Sequence, residues 1–232
     1  MTLFPSTHYS LLTGLQDRSE SLRHHALDRF VEIYWKPAYK YIRIRWRSDP
    51  AAAEDLTQSF FLALLERGTV AHFDEARGSF HNFLRVCIDN FGRDETKAGA
   101  TARRGGDAKR LSLDFPGAEA ELALAAAQPS PEELFHREWQ RQIFSLAIAD
   151  LESFCAQEGK TVQFDIFKSH DLTSGKPSYS ALAAAHGLTV VQVTNYLHWS
   201  RRELRRLALE RVAGVTGSAA DLQTGTRLLF EL

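Results

Sequence analysis

At 232 residues and 44% apolar side chains, the chain is long enough to bury one large core or two small ones, and a formal net charge of −1 excludes a uniformly basic surface. Its two cysteines, Cys87 and Cys155, show neither CxxC nor Cys/His spacing, which argues against a disulfide framework or zinc module and fits a reducing cytoplasm. No run of about 18 apolar residues and no charged-then-apolar leader is seen, so membrane insertion and export are not expected. Ala, Leu, Glu and Arg are frequent and short alternating β-branched runs are scarce, so the expected fold is all-α, with two helical domains joined by a linker.

Thr7 can cap a first short helix over HYSLLTGL, and a long helical pattern follows from about Ser21 to Arg47. Pro37 falls inside it, which predicts a kink or break near Lys36. Asp49-Pro50 opens the next helix, DPAAAEDLTQSFFLALLERG, with proline in the first turn and acids near the positive end of the dipole. Leu56, Phe60, Leu64 and Phe61, Leu65 recur at three- and four-residue spacing, leaving Glu54, Asp55 and Gln58 for water, and Gly68 ends the helix. A loop through Asp74 and Gly78 leads to FHNFLRVCIDNFGRDETK, where Phe80, Phe83, Leu84, Cys87, Ile88 and Phe91 share the helical period. Interleaved or adjacent are Arg77, His81, Asn82, Arg85, Asn90, Arg93 and Lys97, side chains of the kind that bind phosphates and base edges. The aromatic period suits a core as well as base stacking, so one or both of Phe80 and Phe83 are expected to be buried. The first domain is thus placed at 1–97.

Residues 98–130 are rich in Gly, Ala, Ser and Pro and read as a mostly irregular linker. As a flexible coil it spans roughly 30–35 Å, and about 110 Å drawn out. The second domain, 131–232, opens at Ser130-Pro131-Glu132-Glu133, an N-cap, a proline and two acids in order. A helix over Thr161 to His170 and a Gly/Pro turn over Asp171 to Ser178 precede a helix-turn-helix pattern. There Ala183 allows close helix contact, Gly187 suits a positive φ in the turn, and Val193 fills the space between the helices. Thr189 caps the second helix, whose early positions Gln192, Thr194, Asn195 and His198 face base edges, with Arg201, Arg202 and Arg205 nearer the backbone. The tail from Val212 to Leu232 ends in an apolar Leu-Leu-Phe-Glu-Leu suited to docking on the second domain or on a regulator.

Charge is sorted along the chain despite the near-zero total. Lys36, Lys40, Arg43, Arg45 and Arg47 form one basic series, Lys97, Arg103, Arg104, Lys109 and Arg110 another, and Arg201 to Arg211 a third, while acids gather between Asp114 and Glu158. AEDLTQSFFLALLE followed by FDEARGSFHNFLRVCIDNFGRDE resembles region 2 of the sigma-70 family of RNA polymerase sigma factors, of the extracytoplasmic-function, or group 4, type. The likeness extends upstream through LDRFVEIYWKPAYKYIRIRW and downstream to residues 179–211, which resemble region 4. RRGGDAKRLSLDFPGAEAE with PEELFHREW further resembles one subgroup of that family.

The resemblance implies that Glu54, Asp55, Gln58 and Phe61 dock on core RNA polymerase. It implies that Arg77, Phe80, Asn82, Phe83, Arg85, Asn90, Arg93 and Lys97 read and melt the promoter −10 element, and that Thr189, Gln192, Thr194, Asn195, His198, Arg201, Arg202 and Arg205 bind the −35 element. An anti-sigma protein or phosphorylation is the usual control in this family. The chain departs from the common pattern at Leu188-Thr189-Val190-Val191-Gln192, where a Gly-Thr-Val-Lys-Ser type start is usual, and over Phe154 to Ser178, which is longer than the usual opening.

Catalytic constellations are weak. Nine histidines give no HExxH or other metal spacing, no GxSxG or GKS/T motif occurs, and adjacent Glu54 and Asp55 lie about 100° apart on a helix and do not converge. No enzyme activity, metal or cofactor is expected. Two other classes remain: a helix-turn-helix regulator that binds duplex DNA without engaging polymerase, and a helical adaptor with no nucleic-acid role.

Overall fold

The computed structural model describes residues 20–98, 111–124, 130–216 and 219–230, and among these the chain is all-α, with nine α-helices and no strand. The expected helix after Thr7 lies outside the described residues. Helix α1 spans Glu20–Arg45 and is continuous through Pro37, so of the expected kink or break, the break is absent. A proline in a helix interior costs about 3 kcal/mol. Ile33, Tyr34, Ala38, Tyr39, Tyr41 and Ile42 around it are all fully buried, and each large apolar side chain contributes about 1.5–3 kcal/mol, so burial outweighs the lost hydrogen bond. The helix ends where Arg47 takes a positive φ of 49°.

Helix α2, Pro50–Glu66, begins with the Asp49 carboxylate accepting the Ala52 N–H at 2.8 Å, and Gly68 at φ 58° follows its end as expected. Two 3₁₀ turns, Thr69–His72 and Glu75–Arg77, carry the chain to α3, Phe80–Ala98, where the Ser79 hydroxyl accepts the Asn82 N–H. Gly92 lets α3 approach the end of α1, since a Cβ there would lie 2.4 Å from the Trp46 ring.

The expected linker contains a docked helix. Asp114 caps α4, Phe115–Ala123, by accepting the Gly117 N–H at 3.0 Å. Phe115 packs against Trp35 and Tyr39, Glu119 accepts from Arg43 and from the Tyr39 hydroxyl, and Glu121 accepts from Lys36 and Lys40. Glycine and proline make the whole tract look irregular, but the run AEAELA has high helix propensity and its two glutamates meet the cations of α1. Residues 99–110 and 125–129 lie outside the described residues.

Helix α5, Pro131–Gln157, opens with a reciprocal capping box between Ser130 and Glu133, as its sequence predicts. Helix α6, Thr161–Phe167, continues into a single π turn, Lys168–Leu172. Helices α7, Tyr179–His186, and α8, Val190–Gly214, follow, and α9, Ala219–Phe230, is the last described element.

The chain divides into two compact units, one formed by the described parts of Met1–Gln142 and Val212–Leu232, the other by Ile143–Arg211. The start of α5 and the tail therefore belong with the first unit, not with the second as the 131–232 boundary has it. Gln140 donates to the Leu228 carbonyl at 2.7 Å, and Gly225 lies so close to Val212 that a Cβ would meet its side chain at 2.8 Å. The first unit buries Phe30, Tyr34, Tyr41, Phe61, Phe80, Phe135 and Trp139, and the second has its own core of Leu151, Cys155, Phe164, Ile166, Phe167, Leu182, Ala183, Val193 and Leu197.

Candidate nucleic-acid interface

In the second unit α7 and α8 meet across a tight turn. Ser178 caps α7 through the Ala181 N–H, and α7 ends at Gly187, whose φ of 65° is unfavourable for any residue with a Cβ. The N–H groups of Gly187 and Leu188 both return to the Ala183 carbonyl, closing the turn. Ala183 and Val193 are buried at the contact, as the helix-turn-helix spacing requires.

One side of α8 is core and the opposite side is open. Val193, Leu197 and Ser200 are fully buried, whereas Val191, Asn195, His198, Arg202 and Arg205, spaced by four, three, four and three residues, form one exposed stripe. Asn195, His198, Arg202 and Arg205 thus fall together as expected. Val191 was not among the expected contacts; its helical register with Asn195 carries the signal, but a valine is readily assigned to a core.

Several members of the expected set make contacts within the protein. The Thr189 N–H and hydroxyl both donate to Gln192 Oε1, at 2.8 and 3.0 Å, while Thr189 Oγ1 accepts the Gln192 N–H at 3.2 Å. This capping box leaves Gln192 its amide N–H groups for a base edge but takes its carbonyl oxygen. The Thr194 hydroxyl donates to the Val190 carbonyl at 2.9 Å. Arg201 forms a bidentate pair with Asp171, Nε to Oδ2 at 2.7 Å and Nη2 to Oδ1 at 2.8 Å, and His170 Nδ1 lies 2.8 Å from Asp171 Oδ1. The Arg201 guanidinium holds the Asp171 carboxyl below the usual carboxylate range, although partial burial opposes it. Arg206 is paired with Glu203 and Glu210, and Arg211 with Asp150, so the third basic series is largely compensated.

In the first unit, α3 presents Asn82, Val86, Asn90 and Arg93 along one exposed stripe. Arg77 is exposed in the turn before it, beside Asp74 at 3.3 Å, and for Lys97 only the backbone, in the last turn of α3, is described. Arg85 is partly buried between Asp89 at 3.7 Å and Glu132 at 3.6 Å. Phe80 is a core residue, 1% exposed and edge-on to Phe30, Tyr34 and Phe73, so a base cannot stack on it without opening the core. Phe83 is half-buried against Phe73 and Phe80.

His81 does not face solvent either. Its ring stacks on Phe135 at 4.6 Å and lies against Trp139, and burial, reinforced by His136 and Arg85, pushes its pKa down to about 3. It is therefore neutral at physiological pH and cannot serve as a cationic phosphate ligand.

On α2, Glu54 is half-exposed and Asp55 exposed, but the other two expected docking residues are not at the surface. Phe61 is fully buried against Phe30 and Phe60, because the second apolar row of α2 fills the core. Gln58 is 8% exposed and its side-chain oxygen accepts the Leu111 N–H at 3.1 Å, so the segment leading to α4 covers it.

Four cations of the first basic series, Lys36, Lys40, Arg43 and Arg45, are also paired. Lys40 is buried between Glu138 at 2.6 Å and Glu121 at 2.7 Å, Arg43 holds Glu119, and Arg45 lies 3.4 Å from Asp89. Its hydrogen bond to Arg43 keeps the Glu119 carboxyl below the usual range despite partial burial, whereas burial and then the Glu119 bond push Tyr39 up to about 12.

Among the described residues no cluster of three His, Cys, Asp or Glu could hold a metal ion, and no helix is long and apolar enough to cross a membrane. No protein-family model matches the chain, and it has no match among curated proteins or solved structures.

Proposed function

We propose that the chain is a sigma-type transcription initiation factor of the extracytoplasmic-function kind. It binds core RNA polymerase and directs it to promoters through two DNA contacts. The observation that supports this reading best is the exposed stripe of α8, Asn195, His198, Arg202 and Arg205, set behind a Gly187 turn with Val193 sealed beneath it. A helix so mounted offers base-edge hydrogen-bonding groups at its start and cations further along, the order a major-groove reader needs. In the same proposal Asn82, Asn90 and Arg93 on α3 contact the −10 region, and Glu54 and Asp55 supply the polymerase contact. The factor works in the cytoplasm by binding alone, its own residues making or breaking no bond, and an anti-sigma protein is the natural partner for its control.

The docking role is tested by Glu54→Lys combined with Asp55→Lys. Both side chains reach solvent, so helical content should stay unchanged while capture of core polymerase falls. Unchanged capture would remove these residues from the interface. The burial of Phe61 and Gln58 favours a second reading, a helix-turn-helix regulator that binds duplex DNA without polymerase. A wild-type chain that binds duplex DNA yet never captures core polymerase would establish that alternative.

A further inference from the structure

Among the described residues of the second unit, Val191 is the most exposed large apolar side chain, at 67%, and its neighbour Val190 is 47% exposed. Both sit in the first turn of α8. Val191 shares its stripe with Asn195, His198 and Arg202, and about 6 Å of helix rise separates it from Asn195. The polar side chains around the two valines are exposed but partly engaged by the start of the helix. Gln192 gives its side-chain oxygen to Thr189, and Thr194 gives its hydroxyl hydrogen to the Val190 carbonyl. The Gln192 side-chain oxygen and the Thr194 hydroxyl hydrogen at the head of the helix are thereby engaged by the helix itself, and beside them the two valines present methyl groups outward. Beyond them on the same stripe, Arg202 and Arg205 complement a phosphate backbone.

We infer that Val191, flanked by Val190, is a specificity-determining residue that reads the 5-methyl group of thymine in the major groove. This rests on the proposal that α8 enters duplex DNA. Thymine carries the one methyl group that natural unmodified base pairs display in that groove, and apolar side chains are its matching partners. Cytosine at the same place would set a donor amine against valine methyls with no acceptor within reach on Gln192, so it is disfavoured by desolvation as well as by lost contact. Asn195, a turn further along, supplies the hydrogen-bonding half of the readout, and the sequence preferred at this end of the site places thymine beside the base that Asn195 contacts.

The experiment uses the full chain and a pool of random-sequence duplexes enriched by binding to it. The enriched pool is prepared in two forms, with thymine and with uracil in its place, which removes only the methyl groups. The expected result is weaker binding of the uracil form, by about fourfold for each methyl contacted. Val191→Ala should bring the thymine-to-uracil ratio toward one. Asn195→Ala should weaken both forms alike and leave the ratio standing. Equal affinity for the two forms, or a ratio unchanged in both Val191→Ala and Val190→Ala, would overturn the inference while leaving duplex binding intact. Loss of core-polymerase capture in Val191→Ala with an unchanged ratio would assign the patch to a protein and overturn it too. Failure to enrich any duplex would overturn both the inference and the DNA-binding proposal beneath it.

Discussion

His81 gives a prediction whose size follows from burial. Its ring lies wholly inside the first unit, stacked on Phe135 and against Trp139, and among the described residues neither His81 Nδ1 nor Trp139 Nε1 has a hydrogen-bond partner. The folded pKa is pushed down to about 3, whereas an unfolded histidine titrates at about 6.5. Below about 6.5 the unfolded chain therefore takes a proton that the folded chain refuses, and stability falls as the pH drops through the window from 6.5 to 3. Between pH 7 and pH 5 this one residue removes about 2 kcal/mol, because the unfolded form is largely protonated at the lower pH and the folded form is not. His81→Phe keeps an aromatic ring in the stack and abolishes the proton uptake. Urea unfolding followed by tryptophan fluorescence at the two pH values should show wild type losing about 2 kcal/mol more than the variant between them. An identical pH dependence for both would mean that His81 is hydrated in solution, and its exclusion from the proposed DNA-facing surface would fall with that result.

Three further outcomes follow from particular contacts. Asp171→Asn should free Arg201 from its bidentate pair, adding about one phosphate contact and steepening the salt dependence of duplex binding by about 0.9. The same change should cost at most about 1 kcal/mol of stability, since Arg201 is 45% exposed and the pair is screened by solvent. A salt titration read by fluorescence anisotropy, with an unchanged slope, would show that Arg201 does not reach the backbone. Glu138→Gln should destabilise the first unit by about 3 kcal/mol, because buried Lys40 loses one of its two carboxylate partners, whereas Lys40→Met with Glu138→Met should recover most of the loss. Denaturant midpoints of the three proteins check this, and a double variant as unstable as the single one would count against it. Gly92→Ala should lower stability by about 1–3 kcal/mol, since the added methyl meets the Trp46 indole at 2.4 Å; an unshifted melting temperature would mean that the indole moves aside freely.

The helical class and several boundaries were legible because they rest on local chemistry. The Ser130 and Thr189 caps, the Gly68 and Gly187 ends and the buried face of α8 follow from capping, positive φ and period alone, whereas the return bond from Thr189 to Gln192 Oε1 was read instead as a base contact of Gln192. The exposure of the candidate site was legible where a stripe has one face in water, as for Asn195, His198, Arg202 and Arg205. It was less so where a helix is covered on more than one side. On α2, Phe61 and Gln58 share a helix with exposed Asp55, but Phe61 faces the α1 aromatics and Gln58 the segment before α4, long-range partners that no helical period reveals. The same holds for Lys36, Lys40 and Arg43, which read as a basic surface until Glu119, Glu121 and Glu138, some eighty to a hundred positions away in sequence, are folded against them. Pro37 shows the converse, a strong local signal for a break overruled by dense packing on both sides.

The most direct test of the proposed role is run-off transcription with purified core RNA polymerase on genomic fragments that core alone does not transcribe. The account predicts discrete transcripts that start at defined positions only when this chain is added, and that vanish when Glu54 and Asp55 are both changed to lysine. A chain that binds those fragments tightly while polymerase stays silent would contradict it.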